Sequence, residues 1–207
     1  MVNVLGISGT HRSGGNTTVL VDTALNAARE LGAEIAFIEL CDLKLVHCLH
    51  CGDCAKNNRC VQDDDLNRVV DTMHAADAII LGAPVHFGSV PAPMKNVIDR
   101  AGRFGDFAGK VGGALVVSRR SGIDMTLSQL HFFLLVKEMV VPGTPSWPIG
   151  FALNPGDIRA DTEAIAAAKD LGYRVTVLTQ TLKELPLPWM NGVPKTKDSK
   201  KFGDEWR

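Results

Sequence analysis

Four of the chain's five cysteines crowd into one stretch, Cys48-Leu-His-Cys51-Gly-Asp-Cys54-Ala-Lys-Asn-Asn-Arg-Cys60, spaced C-x2-C-x2-C-x5-C. Thiolates this dense share a metal readily, because soft sulfur suits zinc, copper(I) or iron–sulfur clusters. Ferredoxins place three ligands of a cubane cluster on the same C-x2-C-x2-C run, and the longer gap before Cys60 lets one loop close on itself. The spacing points first to a [4Fe–4S] centre on Cys48, Cys51, Cys54 and Cys60. Three alternatives stay open on spacing alone. A structural zinc site is one, although its knuckles more often pair across a long spacer. A redox dithiol from two neighbouring cysteines is another, and a loop that binds nothing is the third.

A second chemically charged stretch is Ser8-Gly-Thr-His-Arg-Ser-Gly-Gly-Asn-Thr-Thr18. It joins an apolar run to a helical pattern, and a helix N-terminus presents free N–H groups and a favourable dipole to an anion. Ser8, Thr10, Ser13, Thr17 and Thr18 add hydroxyls, and Arg12 adds a fork-shaped cation suited to phosphate. Gly15-Asn16 stand where a nucleotide-triphosphate loop would carry Lys-Ser/Thr, and no G-x-G-x-x-G is present. A monophosphate held by hydroxyls fits what remains; a merely polar turn is the plain alternative. Two further loops, Pro84–Ser89 and Ser118–Gly122, would stand beside the first and surround a flat ring. Backbone N–H groups there could stabilise charge on a reduced flavin. His86 could pack on the ring edge and donate a proton, or be an ordinary loop histidine. His11, His47 and His50 carry less signal, and Cys41 and Trp147 read as packing residues.

The elements that must position these loops follow from periodicity. Strands are expected over Asn3–Ser8, Glu34–Leu40, Ala78–Leu81, Val111–Ser118 and Met139–Val141. Helices are expected at about Thr17–Leu31, Leu66–His74, Pro91–Ala101, Asp124–Glu138 and Asp161–Leu182. Asp63-Asp64-Asp65 looks like a metal site but is explained more simply as a charged N-cap for the helix that follows. Strands alternating with helices make an α/β fold with a parallel sheet and right-handed crossovers. Five strands in this pattern suit a flavodoxin-like three-layer fold of order 2-1-3-4-5, with the cysteine-rich loop after strand 2 and ligands off the carboxyl ends.

The 207 residues suit one such domain, 1–185 including a cluster loop at 47–61, followed by an arm or tail over 186–207. A net charge of −1 and pI near 6.6 give no electrostatic case for nucleic acid or an anionic membrane. No stretch reaches the length of an apolar membrane span, and the N-terminus lacks the basic start of a secretory signal. A cytoplasmic protein with reduced thiols is the expectation.

Three stretches together resemble a known family: Gly6-Ile-Ser-Gly-Thr-His-Arg-Ser-Gly-Gly-Asn-Thr17, the cysteine loop running into Val61-Gln-Asp-Asp-Asp65, and Ala83-Pro-Val-His-Phe-Gly-Ser89. They look like the archaeal and bacterial iron–sulfur flavoproteins, relatives of NADPH-dependent FMN reductases and NAD(P)H quinone reductases. The resemblance covers about residues 2 to 180, and its most specific part is the cysteine motif. It implies FMN and a [4Fe–4S] cluster on the four cysteines. It implies FMN phosphate and ribityl contacts from Ser8, Thr10, Arg12, Asn16 and Thr17. Ring contacts fall to Pro84, Val85, His86, Phe87 and Gly88, with Ser118 and Arg119 nearby. His86 stands where tyrosine is commoner, and Ile123-Asp124 where relatives often show Gln-Glu. The implied function is an FMN-dependent oxidoreductase that passes electrons between a one-electron donor such as ferredoxin, the cluster, FMN and a small-molecule acceptor. A homodimer or tetramer is implied, with one subunit's cluster near its neighbour's flavin. A cluster-free NAD(P)H-dependent FMN or quinone reductase is the alternative; a zinc-binding or redox-sensing interaction module is the third reading.

Overall fold

Val4, Leu5 and Ile7 form a nearly unbroken apolar run, the pattern of a strand covered on both faces. In the computed structural model, which describes residues 1–184, that run is β1 (Asn3–Ser8), buried at every position but its first. β2 (Glu34–Glu39) is the half-exposed edge strand beside it, while β3 (Ala78–Pro84) and β4 (Val111–Ser118) continue the buried centre. β5 (Ile149–Phe151) closes the other edge. All pairings are parallel, in the order β2-β1-β3-β4-β5, as the alternation of elements leads one to expect.

α1 (Asn16–Glu30) and α6 (Thr162–Glu184) cover one face of the sheet. They approach closely because α6 carries Gly172, where a Cβ would lie 2.1 Å from the Ala24 carbonyl oxygen. The opposite face carries α3 (Leu66–Ala75), α4 (Ala92–Phe104) and α5 (Ile123–Val136), with Leu66, Met73, Met94, Val97 and Leu130 at its core. α2 (Asp53–Asn57), inside the cysteine loop, is a single turn that periodicity does not announce.

The fifth strand is not where the sequence places it. In the 139–141 segment only Val140 pairs, as a single parallel bridge to Val111 at the start of β4. Pro142 then ends the extended run by removing a donor. The chain rejoins β4 seven residues further on, Ile149 opposite Val116 and Phe151 opposite Ser118. The eight-residue β4 is thus edged by two short pieces, and the second delivers a loop to the carboxyl end of the sheet. Trp147, expected to pack, is 73% exposed in the intervening turn. The 186–207 arm or tail lies outside the described residues. No helix among the described residues is long and apolar enough to cross a membrane.

Candidate functional site

The loops after β1, β3, β4 and β5 meet at the carboxyl edge around a cavity of about 300 Å3. Thr10, Arg12, Asn16 and Thr17 line one side; Pro84, Val85 and His86 line another; Ser118 and Arg119 close it from β4. These are nine of the twelve positions expected to meet FMN, so chain segments more than 100 residues apart converge as the fold requires. Ala152, Leu153 and Pro155, from the loop after β5, complete the wall. They escaped the sequence reading because the fifth strand was set ten residues too early.

The remaining three expected residues sit elsewhere. Ser8 is fully buried and its Oγ lies 3.2 Å from Thr18 Oγ1. Thr18 in turn donates to Glu39 at the end of β2, which also accepts from Ser13 Oγ and Gly14 N–H, each at 3.2 Å. Ser8 therefore begins, in the interior, a chain of bonds that runs outward to brace the first loop, and Glu39, a residue the sequence did not single out, anchors it. Phe87 and Gly88 form the tip of a tight turn in which His86 N donates to Ser89 O at 2.9 Å and Ser89 N to His86 O at 3.1 Å. Phe87 is fully exposed, at a left-handed φ of 51°. Gly122 has φ 81°, and a Cβ there would come within 2.8 Å of Gly88 Cα, so the β3 and β4 loops touch backbone to backbone.

Two side chains set the character of the cavity. Asn16 donates from Nδ2 to Asn154 O at 2.8 Å and accepts at Oδ1 from Gly156 N at 2.8 Å, tying the first loop to the last. His86 stacks on His11, ring centroids 4.9 Å apart and planes 19° from parallel. Desolvation first, then the nearby charges of His11 and Arg12, push His86 below the usual histidine range, which favours its neutral imidazole. The donors fit a ring-bearing monophosphate such as FMN: hydroxyls and a guanidinium near a helix N-terminus, with the β3 and β4 loops beside them.

The cysteine loop leaves the carboxyl end of β2 and lies against α4. Cys48, Cys51, Cys54 and Cys60 all line one small cavity, with Arg100, Arg103 and Phe104 of α4 as its floor. None of its lining residues is shared with the cavity at the sheet edge. Cys51 is exposed and the other three half-buried. Left-handed turns at His50 and Gly52 fold the loop back on itself, and His50 N–H points at Cys48 Sγ from 3.4 Å. Among the described residues no three side chains of metal-ligating type converge on a single ion, although the four cysteines share the lining of one cavity. A four-sulfur donor set around one cavity fits a multi-atom cluster in its chemistry.

The aspartate run serves the start of α3 only in part, through Asp64 and Leu66 N. Asp65, at the N-cap of α3, makes no capping bond with its side chain; its carboxylate accepts from Lys44 N at 2.8 Å. Asp64 accepts from Val46 N at 2.9 Å and from Leu66 N at 3.2 Å, and pairs with the Arg100 guanidinium in full burial. Its burial would raise the carboxyl pKa, but Arg100 and the two backbone donors outweigh that and hold it below the usual range. The run staples the base of the cysteine loop, because backbone N–H groups at 44 and 46 have no strand partner and take carboxylates instead.

Residues 2–154 match the family described as NADPH-dependent FMN reductase. An iron–sulfur flavoprotein of Methanocaldococcus jannaschii is 39% identical, over 88% of this chain and 100% of its own length. One of Methanosarcina thermophila is 36% identical, over 75% of this chain and 85% of its own length. Among solved structures, RosB with a bound formylated riboflavin 5′-phosphate intermediate superposes with a TM-score of 0.72 at 14% identity, covering 98% of this chain and 90% of RosB. An archaeal flavodoxin gives 0.60 at 16% identity, covering 86% and 99%. At these identities the two structures speak for the fold.

Proposed function

Because the chain belongs to the iron–sulfur flavoproteins of the NADPH-dependent FMN reductase family, we propose that this FMN-dependent oxidoreductase passes electrons between a one-electron donor of the ferredoxin class and a small-molecule acceptor, through a [4Fe–4S] centre and FMN. The observation that carries the reading is the pair of separate cavities, one built for a ring-bearing monophosphate and one ringed by four cysteines. When bound, the cluster supplies one-electron transfer and FMN supplies both one- and two-electron transfer.

The chain's own residues do the rest. Thr10, Thr17 and Arg12 hold a phosphate at the start of α1, while Ser8 is a brace one layer below. Asn16 keeps the β5 loop closed over the ribityl chain. Pro84, Val85 and His86 wall the ring, and the neutral His86 can give or take a hydrogen bond at the ring edge without adding charge. Cys48, Cys51, Cys54 and Cys60 hold the cluster. An apolar cleft of about 710 Å3 between α4 and α5, with Phe132 70% exposed at its rim, supports assembly as a homodimer or tetramer.

Anaerobic purification with flavin, iron and sulfide analysis tests the reading. One FMN per chain and about four iron and four sulfide are expected; stoichiometric zinc without acid-labile sulfide would sink the cluster. The family's NADPH description favours one second reading, a cluster-free reductase taking hydride from a nicotinamide. Rapid bleaching of the flavin by NADPH, unchanged in Cys54→Ala, would select it.

A further inference from the structure

Arg100 is the most voluminous fully buried side chain among the described residues, and holding FMN requires nothing of it. It projects from α4 into the base of the cysteine loop with 1% of its side chain exposed. Nη1 donates to Val46 O at 3.0 Å and to Asp64 Oδ2. Nη2 donates to Asp64 Oδ1 at 2.9 Å and to Cys60 Sγ at 3.0 Å. Its Nε–H is buried as well, with no hydrogen-bond partner among the described residues. A buried donor left alone is costly, and native proteins rarely keep one without a purpose. Arg100 borders the same cavity as the four cysteines, so sulfurs stand beside the oxygens of Val46 and Asp64 among the acceptors near it.

We propose that Arg100 is a positioning residue of the iron–sulfur centre, donating from Nη2 to Cys60 and from Nε to a second sulfur of that centre, and thereby setting its reduction potential. The inference rests on the cluster reading of the cysteine loop. Reduction adds negative charge that spreads over the sulfurs, and N–H···S bonds stabilise it, so they raise the potential. Asp64 cancels most of the guanidinium's long-range field, which leaves the effect to the local hydrogen bonds. The same ion pair keeps the planar fork rigid, so the donors stand ready rather than being ordered on reduction.

Three proteins test it, each reconstituted anaerobically with iron and sulfide: wild type, Arg100→Lys, and Arg100→Met combined with Asp64→Asn. The double variant removes both buried charges together, so neither is stranded. Iron and sulfide content is measured first, then the cluster's potential by EPR-monitored titration, then nitrogen hyperfine coupling in wild type labelled with 15N-guanidino arginine. The double variant is expected to keep its metal and to become at least tenfold harder to reduce, a fall of about 59 mV for one electron. Arg100→Lys is expected to fall between it and wild type, and the labelled wild type to show arginine nitrogen coupled to the reduced cluster. A loaded double variant whose potential stays within tenfold of wild type, or a loaded wild type without that coupling, overturns the proposal. Should neither variant load, the coupling in wild type decides alone. A wild type that takes up no sulfide overturns the cluster reading itself, which is distinct from a loaded centre indifferent to Arg100.

Discussion

Asp64 and Arg100, 36 residues apart in sequence, form an ion pair whose side chains are 0% and 1% exposed, and it ties the cysteine loop to α4. Removing one partner of such a pair strands the other charge in a medium that solvates it poorly. Asp64→Ala is expected to lower stability by about 3–5 kcal/mol. Removing both charges, in Arg100→Met with Asp64→Leu, should restore most of the loss. Urea melts followed by far-ultraviolet circular dichroism compare the three proteins, and equal losses in the single and double variants would show that the pair is not the fastener.

Asn16 joins the first and last loops of the sheet-edge cavity through its amide. In Asn16→Ala, Gly156 N–H loses its acceptor and Asn154 O its donor. FMN affinity should fall about tenfold, the equivalent of roughly 1.4 kcal/mol, within the usual range for a lost hydrogen bond. Quenching of flavin fluorescence on binding measures it, and an affinity equal to wild type would mean that the β5 loop closes without this tie.

Gly122 is a point where only glycine fits, for two independent reasons. Its φ of 81° strains any L side chain, and an added Cβ would press on Gly88 Cα. Gly122→Ala is expected to cost about 1–3 kcal/mol and to weaken ring binding as the β3 and β4 loops part. A thermal melt and an FMN titration on the same sample separate the two effects.

The His11–His86 stack predicts a pH dependence whose sign is determined. His86 resists protonation in the folded protein, so its folded pKa lies below the unfolded value of about 6.5. The unfolded chain then binds more protons, and stability falls as pH drops from about 6.5 through the folded pKa. Proton NMR of the imidazole should give a midpoint below 6.5, moving upward in His11→Ala as one repelling charge is removed. A midpoint that ignores His11 would mean that the stack has no electrostatic consequence.

Much of the architecture was legible because it depends on local pattern. β1, β3 and β4 are apolar runs bounded by glycine and polar loops, the helices show their buried stripe, and alternation sets the sheet order. The fifth strand was misplaced because Met139–Val141 and Ile149–Phe151 are equally short and apolar. Only pairing distinguishes them: Val140 finds one partner on β4, and Ile149–Phe151 finds three. The aspartates were read as a helix cap for the same reason. Their neighbours in sequence are an α3 N-terminus, where Asp64 does accept from Leu66 N, but their further partners in space are Lys44, Val46 and Arg100.

The sequence by itself determined which atoms are available: four thiols in one loop, hydroxyls and a guanidinium at a strand-to-helix turn, and two glycine-marked loops that come to the same sheet edge. These are consequences of residue type and short-range spacing, which covalent connection enforces. Only the tertiary structure decided what holds them: Glu39 beneath the first loop, Asn16 bridging to residues 154–156, His11 stacked on His86, and Arg100 donating to Cys60. Each joins segments that the chain does not bring together until the sheet has formed, so no spacing along the sequence encodes it.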